Sequence, residues 1–412
     1  MKRNLIKIII LLVISTLVIF YKFNQIPKNL AYDEVDIAKL ALSLDHKTYT
    51  SFSPLADGHA TVYPYILLAS MKLFGINTFA LRLPAAIFGI INVILFYLIM
   101  SFVFDEKNQF LAFIASFILV SSRWFIDFSR FSFEMPFLLF LELATTYFLF
   151  SYFKNKKISL LVLSGIMSGL AFNSYQPGRI FFILPLIFIF LKREKIKSYL
   201  LFIIPFILVI TPITFYLVTH SQDDIRINKQ FFLKNTELSI PQKIQFLGDN
   251  IKKFTLMFNF SGDANGRHNY PYKPALNPIL GVFFLVGLVL SVKNFSDIYN
   301  NFFIFYFVVA ALPSILTYPW ENPNMLRTYT ILPSLVYFVS QSFLFLTKIK
   351  SKNKNIIFSI ALFLIMVSSI YEIRTYFVYQ SEVFKHSFEI FCPLNKVVGL
   401  SPNEMIKQCK IK

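Results

Sequence analysis

The sequence is poor in glycine, cysteine and charged residues. Its 12 glycines in 412 residues form neither a P-loop nor a G-x-G-x-x-G pattern, which argues against a nucleotide-binding loop. Its two cysteines, Cys392 and Cys409, are too few for a metal framework. Charged residues make up only 15% of the chain, too little polar surface to cover a soluble domain of this size. These absences argue against a soluble protein built around a nucleotide or a structural metal.

Apolar residues are abundant instead. They form 56% of the chain, Phe alone occurs 51 times, and the mean hydropathy is +0.60. Most lie in runs long enough to cross, or nearly cross, a hydrocarbon layer as helices, and none alternates as barrel strands would. The sequence therefore predicts an all-α integral membrane protein of about eleven transmembrane helices. The predicted spans are 5–21, 79–104, 109–122, 134–153, 158–175, 178–191, 198–219, 277–292, 299–317, 328–347 and 355–371. The first run has no small-residue cleavage site and is interpreted as a retained anchor.

Lysine placement predicts the orientation. Short cytoplasmic connections are rich in Lys and Arg, and the basic clusters here are 154–157, 192–197 and 348–354, with 105–108 and 292–297 as the other inner connections. The N-terminus is then cytoplasmic, in a cell (plasma) membrane, and the tail 372–412 is exported. The net charge of +18 is mostly a topology signal, so no nucleic-acid partner is expected. Both cysteines fall in that tail, where a disulfide and two free thiols remain alternatives.

The predicted multi-spanning domain, residues 1–371, has two large outer loops, 22–78 and 220–276. In the first, Ile37, Leu40, Ala41 and Leu44 follow Asp33 at helical spacing, and 61–75 is a second apolar segment too short to span comfortably. The first segment is predicted to be an interfacial helix on the outer surface, and the second an interfacial or re-entrant helix. Asp33 is open to two interpretations, a helix N-cap or a functional acid.

Several stretches resemble one family. The "YDE" of the first outer loop, then "DGHATVYPYILLASMKLFGINTFALRLPAAIFGI" (57–90), "SSRWFIDFSRFSFEMPFLLF" (121–140), "SYQPGRIFFILPL" (174–186) and "NPNMLRTYTILP" (322–333), resemble the GT-C superfamily of polyprenyl-phosphate-sugar-dependent glycosyltransferases. The nearest group is glycosyltransferase family 39-like, the bacterial relatives of protein O-mannosyltransferases and of the lipid A aminoarabinose transferase. Many relatives carry Lys-Pro-Pro where this chain has "HATVYP", so a phosphate-contacting lysine is not carried over.

The resemblance implies a reaction at the outer membrane face. A sugar would move from a polyprenyl-phosphate carrier to a lipid, glycan or protein acceptor, with membrane lipids around the protein. The matching acid is Asp33, with Glu34 beside it. An acceptor hydroxyl or amine needs a carboxylate to take its proton as it attacks the anomeric carbon, and this role for Asp33 favours inversion.

The leaving lipid phosphate calls for fixed positive charge, preferably guanidinium groups. Arg82, Arg130, Arg179 and Arg327 all map to predicted outer helix ends and are the candidate donor-phosphate ligands; Arg123 maps there too. The alternative for any single one is an arginine that anchors a helix end at the interface.

Three further residues are assigned supporting roles. Glu134 follows Arg130 by four residues, so an i,i+4 ion pair orienting that arginine is expected. Tyr175 could stack on the sugar or serve as an interface aromatic, and His59 lies in the first outer loop.

No cofactor is expected. A divalent cation is possible but not favoured, because no tight His/Asp ligand spacing occurs and the first outer loop has no D-x-D.

The competing functions are a transporter or flippase of lipid-linked sugars and a surface-polysaccharide polymerase or ligase. A transporter usually has charge near the membrane midplane, whereas here Glu142 is the main charged residue within the spans. The sugar, the acceptor and the polyprenyl length stay open.

Overall fold

The computed structural model describes residues 2–104 and 108–409, and it is almost entirely helical. The predicted inner connection 105–108 lies mostly outside the described residues. A two-residue antiparallel pair, β1 (Phe52–Ser53) with β2 (His59–Ala60), is the single named sheet of the described part. The helices are α1 (Lys2–Phe20), α2 (Tyr32–Ser43), α3 (Val62–Phe74), α4 (Thr78–Val103), α5 (Gln109–Ser121), α6 (Arg123–Phe128), α7 (Met135–Asn155), α8 (Ile158–Phe172), α9 (Gly178–Phe181), α10 (Ile183–Leu191), α11 (Ile196–Thr219), α12 (Ile225–Gln230), α13 (Ile240–Met257), α14 (Pro278–Lys293), α15 (Ile298–Ile315), α16 (Leu332–Lys348), α17 (Lys354–Arg374), α18 (Ser381–Ser387), α19 (Leu394–Val397) and α20 (Pro402–Gln408).

Every one of the eleven predicted apolar segments is helical. One differs in detail: the segment 178–191 is split into α9 and α10. Pro185 explains the break, because proline has no N–H and its ring clashes with the carbonyl four residues earlier, here that of Phe181, where α9 ends. Within the described residues, six helical segments are long and apolar enough to cross a membrane. They are Thr78–Val103, Met135–Asn155, Ile196–Thr219, Ile298–Ile315, Tyr329–Lys348 and Lys354–Ser387. The other predicted spans are shorter apolar helices.

The spanning helices differ in how they meet their surroundings. Helix α7 is central, and most of the residues in its apolar stretch are buried. Few residues of α11 are buried, and side chains such as Leu208 and Phe215 are exposed. Small residues hold α11 against α8. A Cβ at Gly165 would stand 2.3 Å from the carbonyl oxygen of Phe202, so only glycine permits this close approach. An apolar face of this kind, left outside the bundle, is typical of contact with lipid.

The segment 22–78 contains the two predicted helices, α2 and α3, joined through the β1–β2 pair. The N-cap interpretation of Asp33 is wrong. Helix α2 begins at Tyr32 after the N-cap Ala31, so Asp33 is its second residue. The backward bond typical of a capped start is made by Glu34, whose Oε2 accepts from the Ala31 N–H at 3.2 Å. The Asp33 side chain is therefore left for another partner.

The C-terminal tail packs against the same region. After α17 the chain continues through a π-helical turn, Thr375–Gln380, into α18, α19 and α20. A disulfide joins Cys392 to Cys409, which decides between the two alternatives left by the sequence. Leu30 forms a backbone bridge with Ile390. Helix α2, which carries Asp33, is thus covered by the tail.

Candidate functional site

Two cavities adjoin at one end of the bundle. The first, about 450 Å³, is lined mainly by charged and polar side chains and is called the polar cavity. The second, about 460 Å³, has mostly apolar walls and is called the apolar cavity. They share four residues: Tyr175, Arg226, Gln230 and Arg327. The polar cavity is also lined by Asp33, Asp36, Ile37, Ala56, Asp57, His59, Ser132, Phe133, Glu134, Arg267, His268, Asn324 and Leu326. The apolar cavity adds Gln176, Pro177, Arg179, Ile180, Leu217, Ser221, Asp224, Ile227, Phe231, Lys234, Pro313, Leu316 and Thr317.

Asp33 lies in the wall of the polar cavity. Its side chain is half exposed, and its Oδ2 accepts a hydrogen bond from Nη1 of Arg267 at 2.7 Å. The two residues are 234 positions apart in the chain. A charge-assisted bond of this kind holds the Asp33 carboxylate at a fixed place in the cavity wall. Arg267 was not predicted from the sequence, where it is one of many basic residues in a long loop.

The loop that carries Arg267 is rigidly built. Asp263 accepts hydrogen bonds from the His268 Nδ1 at 3.0 Å, from the Met325 N–H at 2.8 Å and from the Asn265 N–H at 2.8 Å. Gly262 is required at its base, because a Cβ there would stand 2.0 Å from the carbonyl oxygen of Lys273. This loop presents both Arg267 and His268 to the polar cavity.

A hydrogen-bonded chain of three side chains crosses the polar cavity. The Nδ1 of His59 lies 2.8 Å from Oε1 of Glu134, and its Nε2 lies 2.8 Å from Nη2 of Arg226. Since the guanidinium can only donate, Nε2 is the accepting nitrogen and Nδ1 carries the proton. His59 and Glu134, both predicted as supporting residues, thus position Arg226, which the sequence did not single out.

The expected ion pair between Glu134 and Arg130 is wrong. Helix α7 begins at Met135, and the four residues before it are not helical, so the i,i+4 geometry does not exist there. The Glu134 carboxylate pairs with the imidazole of His59 instead.

Arg226 carries the positive charge best placed between the two cavities. Its guanidinium lies over the ring of Tyr175, 5.9 Å from the ring centroid. Among residues 2–104 and 108–409 it forms no salt bridge, so no carboxylate neutralises it directly. Burial lowers the pKa of Arg226, but Tyr175, Glu134 and Asp33 outweigh that effect and raise the pKa. Arg226 therefore remains a cation that an anionic ligand could reach from either cavity.

Two predicted arginines flank Arg226, and each has an acidic partner. Arg179 donates to Oδ2 of Asp224 at 2.5 Å in the apolar cavity. Arg327 donates to Glu321 and, at 3.1 Å, to Oγ1 of Thr317. These bonds hold Arg179 in the apolar cavity and Arg327 in the shared wall.

A second acid accompanies Asp33 on α2. Loss of water around its carboxylate and the neighbouring charge of Asp33 raise the pKa of Asp36, although Lys39 opposes them. Asp36 lines the polar cavity one helical turn from Asp33. The raised pKa of Asp36 thus reflects both its partial burial and its position beside Asp33.

Three predicted residues lie outside both cavities. Glu34 and Arg82 form a buried two-bond pair, Nε to Oε1 and Nη2 to Oε2, each 2.7 Å long. Arg82 also donates to the carbonyls of Pro27 and Asn29 at 2.5 and 2.7 Å. The exposures of the Arg82 and Glu34 side chains are 1% and 0%, so this pair holds the start of α2 rather than facing a ligand.

The third is Arg130, which is fully buried behind the site. Its guanidinium donates to carbonyl oxygens at the end of α1 and just beyond it, including those of Ile19, Lys22 and Ile26. These carbonyls lie at the C-terminal end of α1 and in the turns that follow it, where a cation also complements the helix dipole. Arg130 therefore secures the end of α1 and does not line either cavity.

No metal site is evident in the part of the chain that the structure describes. There, no group of three or more His, Cys, Asp or Glu side chains is arranged to hold an ion.

Known proteins resemble this chain in sequence motif and in fold. Residues 58–221 match the dolichyl-phosphate-mannose-protein mannosyltransferase family. The oligosaccharyltransferase AglB from Archaeoglobus fulgidus, solved in complex with an inhibitory peptide and a dolichol-phosphate, superposes with a TM-score of 0.55 at 14% identity over 93% of this chain and 56% of that one. ArnT from Cupriavidus metallidurans, bound to undecaprenyl phosphate, superposes with a TM-score of 0.52 at 10% identity over 94% of this chain and 76% of that one. No curated protein sequence matches the chain.

At such low sequence identities, these structures show only that the fold is similar. The chain spans 55% of the length of the apo Archaeoglobus fulgidus oligosaccharyltransferase, with a TM-score of 0.54 at 12% identity over 92% of this chain. The shared fold and the family match over 58–221 together confirm the resemblance predicted from the sequence motifs.

Proposed function

We propose that this membrane protein of the GT-C superfamily transfers a sugar from a polyprenyl-phosphate carrier to an acceptor at the outer face of the membrane, with inversion at the anomeric carbon. The observation that carries the proposal is the pair of adjoining cavities, one polar and one apolar, with Arg226 and Arg327 in their shared wall. A polyprenyl-phosphate sugar has the same order of parts: an apolar chain, a phosphate and a polar sugar.

The donor would lie across the shared wall. Its first prenyl units would occupy the apolar cavity beside Ile180, Leu217 and Leu316. Its phosphate would meet Arg226, with Arg179 and Arg327 on either side. Its sugar would project into the polar cavity, where His59 and Glu134 hold Arg226 in place.

The chemistry then follows from the positions of the charges. As the acceptor oxygen or nitrogen bonds to the anomeric carbon, Asp33 takes its proton, and the bond between that carbon and the phosphate oxygen breaks. The electron pair leaves with the polyprenyl phosphate, whose charge the arginines stabilise. Asp33, Arg226 and Arg327 line the same polar cavity, which supports a general base and the phosphate-binding groups acting on one bound donor.

The test is transfer of a labelled sugar from its polyprenyl-phosphate donor to acceptor by the purified protein in nanodiscs. Asp33→Asn should lower turnover by about 10²- to 10⁴-fold, because the amide cannot take the acceptor's proton, while donor binding persists. The matched control is Asp45→Asn, an acid of the same segment that pairs with Lys72 away from the cavities. Normal turnover in Asp33→Asn, or an equal loss in both variants, would refute the assignment. Movement of donor across the bilayer without transfer would favour the flippase alternative.

A further inference from the structure

A third cavity, of about 950 Å³, lies at the end of the bundle opposite the polar and apolar cavities. The chain direction places it there. Its lining comes from the beginnings of α1, α5 and α15 and from the ends of α4, α7 and α10. Glu134 of the polar cavity precedes α7, and Leu316 of the apolar cavity follows α15, so those two cavities lie at the other ends of these helices. Lysines line this cavity: Lys7, Lys154 and Lys192.

Two of these lysines form no ion pair within the described residues. In the described ranges 2–104 and 108–409, Lys154 and Lys192 form no salt bridge and no side-chain hydrogen bond, although the nearby Lys156 pairs with Glu194. Burial and the charge of Lys156 lower the pKa of Lys192. Both ammonium groups pack on aromatic rings; Lys192, for example, lies 5.8 Å from the ring centroid of Tyr299. The charges of Asp297 and Glu194 act in the opposite direction on Lys192, without an ion pair to it among the described residues. An anion in this cavity would bring negative charge to both lysines.

The cavity also extends inward along the helices from the end of the bundle. Tyr147 and Lys154 both line it, and they are seven residues apart on α7, which is about 10.5 Å along a helix axis. On α4 the apolar Leu98 and Phe102 extend the same wall inward from the helix end. The cavity is thus basic where a helix meets the headgroup layer and apolar where the acyl chains begin.

We propose that this cavity binds an anionic phospholipid, with the phosphate of its headgroup between Lys154 and Lys192. The acyl chains would run along Leu98, Phe102 and Tyr147. Basic pockets between transmembrane helices are known to select such headgroups. A soluble phosphate ion would use the lysines but leave the apolar wall uncovered, so the combination favours a lipid.

The test is native mass spectrometry of the full chain, titrated in detergent with phosphatidylglycerol, with phosphatidylcholine and, separately, with inorganic phosphate. The intact protein should retain phosphatidylglycerol in preference to phosphatidylcholine. At about fivefold per lysine, the double variant Lys154→Gln/Lys192→Gln should bind phosphatidylglycerol about thirty-fold more weakly. The matched control is Lys350→Gln/Lys352→Gln, two exposed lysines at the same end that are not part of the cavity lining.

The results separate the sources of binding. Loss of phosphatidylglycerol in the cavity variant but not in the control, with unchanged melting temperatures, supports the site. Equal loss in both variants would show that only the general positive charge of this end attracts lipid. Displacement of phosphatidylglycerol by millimolar inorganic phosphate would identify a phosphate-ion site instead. Equal retention of both lipids by the intact protein would also overturn the proposal.

Discussion

Replacing Arg226 tests the centre of the proposed site. Its bonds to the Nε2 of His59 at 2.8 Å and to the carbonyl of Ala56 at 3.2 Å both come from Nη2. A guanidinium has five N–H donors, so the remaining three can face a phosphate at the junction of the cavities. Arg226→Gln would remove the charge while an amide could still donate to His59.

The magnitude follows from the charge that develops on the leaving phosphate. Loss of one well-placed donor to such a charge costs about 2.7 to 4 kcal/mol, or about 10²- to 10³-fold in turnover. The donor KM should rise as well, because the phosphate is already anionic in the bound ground state. Arg226→Lys should recover only part of the activity, since an ammonium supplies charge without the planar fork of donors.

The assay is initial-rate kinetics of sugar transfer in nanodiscs, with thermal melting of each variant. Lys229→Gln is the matched control, because Lys229 is an exposed cation on the same short helix that pairs with Asp57 at 3.5 Å. Its kinetics should stay close to those of the intact protein. If Arg226→Gln loses no more activity than Lys229→Gln while both melt normally, the phosphate does not depend on Arg226 and the reasoning fails.

The remaining predictions concern stability and orientation. Arg82→Leu should cost about 3 to 5 kcal/mol of stability by leaving Glu34 buried and unpaired, so thermal melting should fall clearly; an unchanged melting temperature would contradict the structural role. Burial raises the pKa of Asp127, so the folded protein keeps a proton that the unfolded chain releases above about pH 4. Stability should therefore decline as the pH rises from about 4 toward the pKa of Asp127 in the folded protein. Asp127→Asn should flatten this decline in pH-dependent melting, and an unaltered profile would argue against it. In intact cells a cysteine at Lys156 should resist an impermeant thiol reagent while one at Asn265 reacts; the reverse pattern would invert the predicted topology.

The helices could be predicted because their signal is local. A run of apolar residues specifies a membrane helix wherever it packs, and a helix accounts for its own backbone hydrogen bonds. The predicted segment 79–104 therefore appears as α4, Thr78–Val103, with one residue of difference at each end. Asp33 was assigned through the family resemblance of the first outer loop, and it lines the polar cavity.

Which arginines are buried structural supports and which line a cavity could not be predicted, because this depends on partners far away in the chain. Arg82 and Arg179 look alike in sequence, yet one meets Glu34 across 48 residues in the interior and the other meets Asp224 beside a cavity. Arg130 binds carbonyls more than 100 residues away.

The proposed phosphate ligand was missed for the same reason. Arg226 lies in a long loop without periodicity, and only folding brings it to His59, 167 residues earlier. The sequence by itself determined that the protein lies in a membrane and where its helices run, since composition and apolar runs carry that information residue by residue. The acid at the proposed centre was implied by the family resemblance. The tertiary structure alone decided which charges are buried as supports and which face the cavities, because the cost of burying a charge depends on the partner that the fold supplies.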